Sequence, residues 1–355
     1  MNRLSLNYFD IMVLDCLCKI NGERSGSAVF HLFKGKRSSQ TIQDAGLFQT
    51  AKYFGMAAQC SRNDISASLD KLEKHSYLAP LSETDTYKVT ASGEGVLRHA
   101  LSERPWPVHC HGAHYQQAAS VLWKRLSLLV QVLSHKQKGS RRYIPVTKDY
   151  KTLHWVKKYL SRHTDHKEMA RSLFAMLEAH LKKIEDKAAQ IFVYSLTSHD
   201  RIGYTSRQLA DTLKEDEWYV YIMFWASVHY FIHSLPECED ALLKDLLSDV
   251  HLDNALTEST RKTWQMVKQG FPIHRIAEIR KLKTATIEDH IVEISLHEPA
   301  FIINDYVSAE DQIQIAAFAK RMRTNKIKQI RDGLGQRFSY FQIRLALTKQ
   351  VQQYE

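Results

Sequence analysis

The sequence predicts a mainly helical protein with one small β-hairpin. Three observations carry this. Proline and glycine are scarce, at 7 and 13 of 355 residues. Apolar residues recur at spacings of three and four along most of the chain, the period of an amphipathic helix. Only one stretch, Tyr87-Lys88-Val89-Thr90, alternates with period two beside a polar turn, as a hairpin strand does.

Taken in order, residues 7–19 (NYFDIMVLDCLCK) form an amphipathic helix, and the apolar stretch before FKG forms another. SSQTIQDA reads as a short helix with Ser38 or Ser39 as N-cap. SRNDISASLDKLEKH reads as a longer one, capped by Ser61, with Ile65, Leu69 and Leu72 on one face. The hairpin follows, then a helix over GEGVLRHAL. Helices followed by a hairpin are the order of a winged helix, assigned to residues 1–103. The two prolines of SERPWPVHCHGAH mark a boundary near 103–114. Residues 115–255 form a central helical domain, in which HKEMARSLFAMLEAHLKKIEDKAAQIFVYSL is expected as one long helix. TSRQLADTL opens like a helix-turn-helix, but the helix after it is too apolar to stand in a groove, so it is read as packing. That apolar run, Trp218 to Leu235, is uncharged over nearly a membrane-spanning length. Its many rings and its histidines favour a buried core helix, and no membrane contact is expected. The last domain, 256–355, contains a helix-turn-helix in GFPIHRIAEIRKLKTATIEDHI, with Ile276, Ala277, Leu282, Ile287, Ile291 and Ile294 as its core.

The formal net charge is +10, which suits a polyanionic partner. Five cysteines without a C-x-x-C pair suggest reduced thiols, and the N-terminus lacks the apolar run of a signal peptide. A cytoplasmic, nucleoid-associated protein is expected. No phosphate loop, H-E-x-x-H, G-x-S-x-G or Rossmann glycine pattern occurs, so neither enzymatic activity nor a cofactor is expected. His109, Cys110, His111 and His114 are metal-capable residues but are read as a linker with incidental histidines.

Candidate DNA contacts fall in three places. Lys34, Lys36 and Arg37 precede the helix start at Ser38 and Ser39, where free amides and added cations suit a phosphate. Arg280, Lys281 and Lys283 occupy the turn of the helix-turn-helix. Lys320, Arg321, Arg323 and Lys328 lie in a basic stripe with no acid between them. A further basic loop holds Lys136, Lys138, Arg141 and Arg142. The outward face of the second helix of the helix-turn-helix is expected to be Ala285, Glu288, Asp289, Val292 and Glu293. Carboxylates repel phosphates, so Glu288, Asp289, Val292 and Glu293 are assigned to a protein partner instead.

VFHLFKG, YFG, HSYL and VTASG resemble the motifs of the RQC winged-helix domain of RecQ-family helicases. Ser76 stands where that pattern has glycine, and the wing is short. Gly270, Ile276, Ala277, Thr286, Ile287 and His290 resemble the pattern of LuxR-type helix-turn-helix regulators. The whole layout, ending in FSYFQIRLAL, is similar to the bacterial YpbB family, encoded beside a RecQ-type helicase. The resemblance implies a non-enzymatic DNA-binding accessory protein that acts with a RecQ-type helicase in recombination or repair. Forks, junctions or single strands would be its DNA, ahead of a specific duplex site. A sequence-specific transcription regulator is the alternative.

Overall fold

The computed structural model describes residues 6–82, 85–140, 142–163, 165–237, 241–250, 256–298 and 300–351. Arg141 and Cys238 lie outside the described residues. In chain order the elements are α1 (Tyr8–Ile20), α2 (Gly26–Phe33), α3 (Ser39–Leu47), α4 (Arg62–Lys74), β1 (Leu78–Ser82), β2 (Thr86–Val89) and α5 (Ala91–Glu103). Then come α6 (Gly112–Gln137), α7 (Tyr150–Arg162), α8 (His166–Leu181), α9 (Asp186–Ser195), α10 (Ser206–Leu213), α11 (Glu217–His233) and α12 (Ala241–Leu246). The chain continues with α13 (Glu258–Lys268), α14 (Ile273–Arg280), α15 (Thr284–His297), α16 (Ala309–Met322), α17 (Ile327–Gly333) and α18 (Tyr340–Val351).

These elements divide into two compact units, where the sequence suggests three domains. The first unit comprises residues 1–11 and 98–254, the second 12–97 and 255–355. The amino-terminal and carboxy-terminal segments therefore share one body. The physical reason is α3, which packs against both α15 and α18. Gly46 admits the Leu296 side chain, since a Cβ there would lie 2.9 Å from its Cδ2. Arg344 Nε donates to Gln43 Oε1 at 2.8 Å. The Asn325 amide donates to both carboxylate oxygens of Glu23, at 2.9 and 2.8 Å. Contacts across some 300 residues of sequence leave no trace in local periodicity, which sees only neighbours along a helix or strand.

Within the second unit, the amino-terminal elements form as expected. Ser61 caps α4 in a reciprocal box with Asp64. β1 and β2 pair antiparallel through Leu78–Val89 and Pro80–Tyr87, and Ser25 adds an isolated bridge to Thr86. The family-like glycines have a steric cause. Gly35 (φ +67°) and Gly55 (φ +73°) bring their backbones together, and a Cβ on Gly35 would lie 2.9 Å from Gly55 Cα. In VTASG, Thr90 Oγ1 donates to the Ser76 carbonyl at 2.7 Å and accepts from the Gly93 amide at 3.1 Å. That hydroxyl ties the start of α5 to Ser76, two residues before β1.

The helix-turn-helix is α14, a turn, and α15. Lys281 takes a left-handed conformation (φ +53°) and ends α14. Ile276, Ile287, Ile291 and Ile294 are fully buried beneath it, and Ala277 nearly so, while Leu282 is half-buried. Helix α13 packs across α15 to close this core.

In the first unit, α6 packs against α7, α8 and α11, and α11 is held by α9 and α10. Phe192 and Phe231 stack at 5.2 Å, Trp123 of α6 meets Phe192 edge-on, and Leu122, Leu126 and Leu129 of α6 are buried. The run from Trp218 forms α11, whose interior residues are buried as expected, with α10 packed on it. No helix among the described residues is long and apolar enough to cross a membrane. One expectation is corrected. The stretch read as a single helix breaks into α8 and α9 around Lys182–Glu185. α8 packs on α6 whereas α9 packs on α11, and a straight helix could not serve both.

Candidate nucleic-acid interface

The amino-terminal basic turn follows α2, whose C-cap is Lys34. Lys34 Nζ donates to the Ala58 carbonyl, and Lys36 is exposed. Ser38, not Ser39, is the N-cap of α3, and its Oγ accepts from the Thr41 amide at 3.4 Å. Arg37 departs from the open patch expected of it. The residue is exposed, yet partial burial pulls the guanidinium below its ordinary value and the Glu293 carboxylate opposes that shift. The Glu293 charge is thus within electrostatic reach of that cation.

A cation that the sequence reading missed stands in its place. Arg62, the first residue of α4, lies over the Phe30 ring at 4.8 Å and reaches Ser27 Oγ at 3.3 Å. Burial, with Lys36 and Arg62 nearby, holds His31 below the ordinary imidazole value, so these three groups share one positive neighbourhood. A cleft of about 280 Å³ between α2 and α3 opens beside them, lined by His31, Lys36, Ser38 and Gln40. Only the approach of α4 to α2 brings Arg62 there, and no spacing along the chain signals it.

The second predicted cluster divides. Arg280 is spent internally. It donates to the Ser259 carbonyl at 2.8 Å, to Ser259 Oγ at 3.0 Å, and to Thr263 Oγ1. Lys281 and Lys283 are exposed, and neither forms an ion pair among the described residues. Lys283 is the N-cap of α15 and supplies no side-chain cap, while Thr284 and Ala285 after it are exposed. Uncapped amides beside two cations make an anion-favouring helix start.

The assigned partner face is corrected. Val292 and Glu293 are 1% and 4% exposed, inside the second unit. Glu293 accepts from the Thr257 amide and from Thr260 Oγ1 at 2.6 Å, and so fastens the start of α13. Burial raises its carboxyl above the ordinary range despite these donors. Glu288 and Asp289 are half-buried, and Asp289 Oδ1 lies 2.6 Å from Arg344 Nη1. The acidic face does meet another surface, but that surface is α3, α13 and α18 of the same chain. A heptad-like reading of α15 shows its faces without showing which neighbours cover them.

The carboxy-terminal stripe also divides. Arg321 stacks over Phe318 at 5.2 Å and Lys328 is exposed on α17. Lys320 and Arg323 line a cleft beside α18. Among the described cations of the central loop, Lys138 lies 3.6 Å from Asp200 and Lys136 lies near His166. Arg142 is exposed.

The histidines of HCHGAH pack with rings rather than with one another as ligands. His109 meets Tyr230 and His233, and His111 meets His114. His229 is fully buried and accepts from the His111 amide at 3.2 Å. Burial, with His111 adding, pushes His229 down to about 3. Among the described residues no group of three His, Cys, Asp or Glu side chains is arranged to hold a metal ion. Burial raises the Cys16 thiol well above its ordinary value and Cys60 to about 11, so neither is a reactive thiolate.

The comparisons with known proteins fall on this geometry. Residues 259–347, spanning α13 to most of α18, match the family model described as "Helix-turn-helix domain". The Bacillus subtilis (strain 168) protein named "Protein YpbB" is 94% identical over 352 residues, covering 99% of this chain and all of that protein. This chain belongs to the YpbB family. The helix-turn-helix match supports DNA binding by the carboxy-terminal segment. No solved structure matches.

Proposed function

We propose that this protein is a non-enzymatic DNA-binding accessory factor of a RecQ-type helicase, acting in recombination or repair from the nucleoid. The observation that carries the DNA side is the state of α15. Its family match is to a DNA-binding motif, yet its middle is covered by α3, α13 and α18, and only its first turn is open. A helix so placed can present its amino end and flanking lysines to a phosphate but cannot lay its length in a major groove. Lys281 and Lys283, with Lys34, Lys36, Arg62 and the exposed Arg321 and Lys328, then grip backbone with weak sequence preference.

The amino-terminal elements support the same reading. α1, α2 and α4 with the β1–β2 hairpin follow the order of an RQC-type winged helix, and α4 exposes Arg62, Asn63 and Ser66 at its start. Forks, junctions and single strands are the DNA such a binder would favour. The helicase partnership rests on the family-like motifs alone.

Two experiments test the reading. Competition binding of a labelled fork against unlabelled forks and duplexes of varied sequence should show preference for structure and little for sequence. A preference of about a thousandfold for one duplex would instead favour a transcription regulator. Affinity capture of the full chain from nuclease-treated lysate should retain a RecQ-type helicase, and its absence would remove that partner.

A further inference from the structure

A second surface of the carboxy-terminal segment has a different chemistry from a phosphate grip. Between α16, the turn after it, and α18 lies a cleft of about 650 Å³. Small apolar side chains line it, among them Ala316, the buried Ala319 and the buried Ala346. Ile313 stands on its wall with 70% of its surface exposed. Ile313 thus offers an aliphatic contact beside the alanines of the cleft.

One end of the cleft is positive. Lys320 and Arg323 line it, and neither forms an ion pair among the described residues. Part-buried Lys349 lines it as well. Arg323 takes a left-handed conformation (φ +48°) as the C-cap of α16, a backbone state that turns the chain sharply there. At the other end α16 begins with Glu310 and Asp311, the latter paired with Arg337 at 3.0 Å. From Ala309 to Lys320 the helix rises roughly 16 Å. Along α16 the cations Lys320 and Arg323 thus stand about three turns from the acids Glu310 and Asp311.

We propose that this cleft binds an acidic peptide segment of a partner protein, with an aliphatic or aromatic side chain seated against Ile313 and the alanines. The carboxylates of the segment lie at Lys320 and Arg323, away from Glu310. Charge complementarity selects this occupant. A nucleic-acid backbone needs cations on an open surface and gains nothing from an alanine lining, whereas an amphipathic acidic peptide uses both features. The proposal goes beyond the DNA reading and requires only that DNA binds outside this cleft.

Panning a phage-displayed random dodecapeptide library on the full chain tests it. The wild type should enrich peptides that combine several Asp or Glu residues with an apolar residue. A synthetic copy of the most enriched peptide should lose affinity by about tenfold or more with Lys320→Glu/Arg323→Glu, and separately with Ile313→Asp. Both variants alter exposed side chains, and thermal melting checks that they fold as the wild type does. Binding of a labelled 30-base-pair duplex should be unchanged by Ile313→Asp, which leaves the cations of the stripe in place. No enrichment, enrichment of peptides without acids, or equal peptide affinity for the variants would overturn the proposal. So would loss of duplex binding by Ile313→Asp, which would assign the cleft to DNA.

Discussion

Arg344 joins three helices, its Nη1 lying 2.6 Å from Asp289 on α15 and its Nε 2.8 Å from Gln43 on α3. One side chain of α18 thus binds the helix-turn-helix to the amino-terminal segment, and it consumes an acid that would otherwise face a partner. Arg344→Met keeps the aliphatic stem and removes the donors that Asp289 Oδ1 and Gln43 Oε1 accept from. The expected loss is about 2 kcal/mol, in the range for charged hydrogen bonds. For a unit of this size that lowers Tm by roughly 4–8 °C. Calorimetry reads it, and an unchanged Tm would mean that the contact is dispensable.

A relay of three side chains makes the same unit sensitive to acid. Arg280 donates to Thr263 Oγ1, which lies 2.8 Å from His290 Nδ1. Arg280 Nη1 also lies 3.4 Å from His290 Nδ1, and a guanidinium so close favours the neutral imidazole. Burial, with Arg280 adding, pushes His290 from its ordinary value down to about 4. The sign follows from the unfolded chain binding the proton more readily than the folded one. Stability is full above pH 6.5 and is lost as pH falls toward 4, by at most about 3 kcal/mol. Melting curves across that range should show the loss for the wild type and a flatter dependence for His290→Gln. Equal slopes would remove His290 as the cause. His229 and His111, pushed down to about 3 and about 4, predict acid sensitivity of the first unit by the same rule.

Ser76 stands at φ +58°, in the left-handed region, where the RQC-like pattern has glycine. A side chain there costs on the order of 1 kcal/mol, partly offset by the greater freedom of glycine in the unfolded chain. Ser76→Gly should therefore stabilise the protein by about 0.5 kcal/mol, because the Thr90 bond to residue 76 uses only its carbonyl. Chemical denaturation should show a higher midpoint with an unchanged m-value. A lower midpoint would mean that the serine hydroxyl contributes something its backbone conformation does not reveal.

These sites also show where sequence reasoning reached and where it stopped. Caps, periods and glycines are local, so the Ser61 cap of α4, the β1–β2 hairpin and the isoleucine core under α15 were legible. The positions of Lys36, Lys281 and Lys283 on the surface followed from the same patterns. Pairing between distant segments was not legible. Nothing near Val292 or Glu293 says that Gly46 makes room for Leu296, or that the amide of Thr257 needs a carboxylate from α15. Arg280 and Arg37 look like free cations in a basic run, and only the fold supplies the Ser259 carbonyl and the Glu293 charge that engage them. Arg62 was overlooked for the converse reason, since it sits among acids in sequence and beside Lys36 and His31 in space.

The salt dependence of fork binding tests the central claim most directly. For the full chain, the logarithm of the association constant should fall linearly with the logarithm of salt concentration, by about 0.9 per phosphate contacted. Replacing Lys36, Lys281 and Lys283 by glutamate should weaken binding and flatten that slope by roughly 2–3, equally on forks of unrelated sequence. An unchanged slope in the triple variant, with affinity intact, would contradict the account.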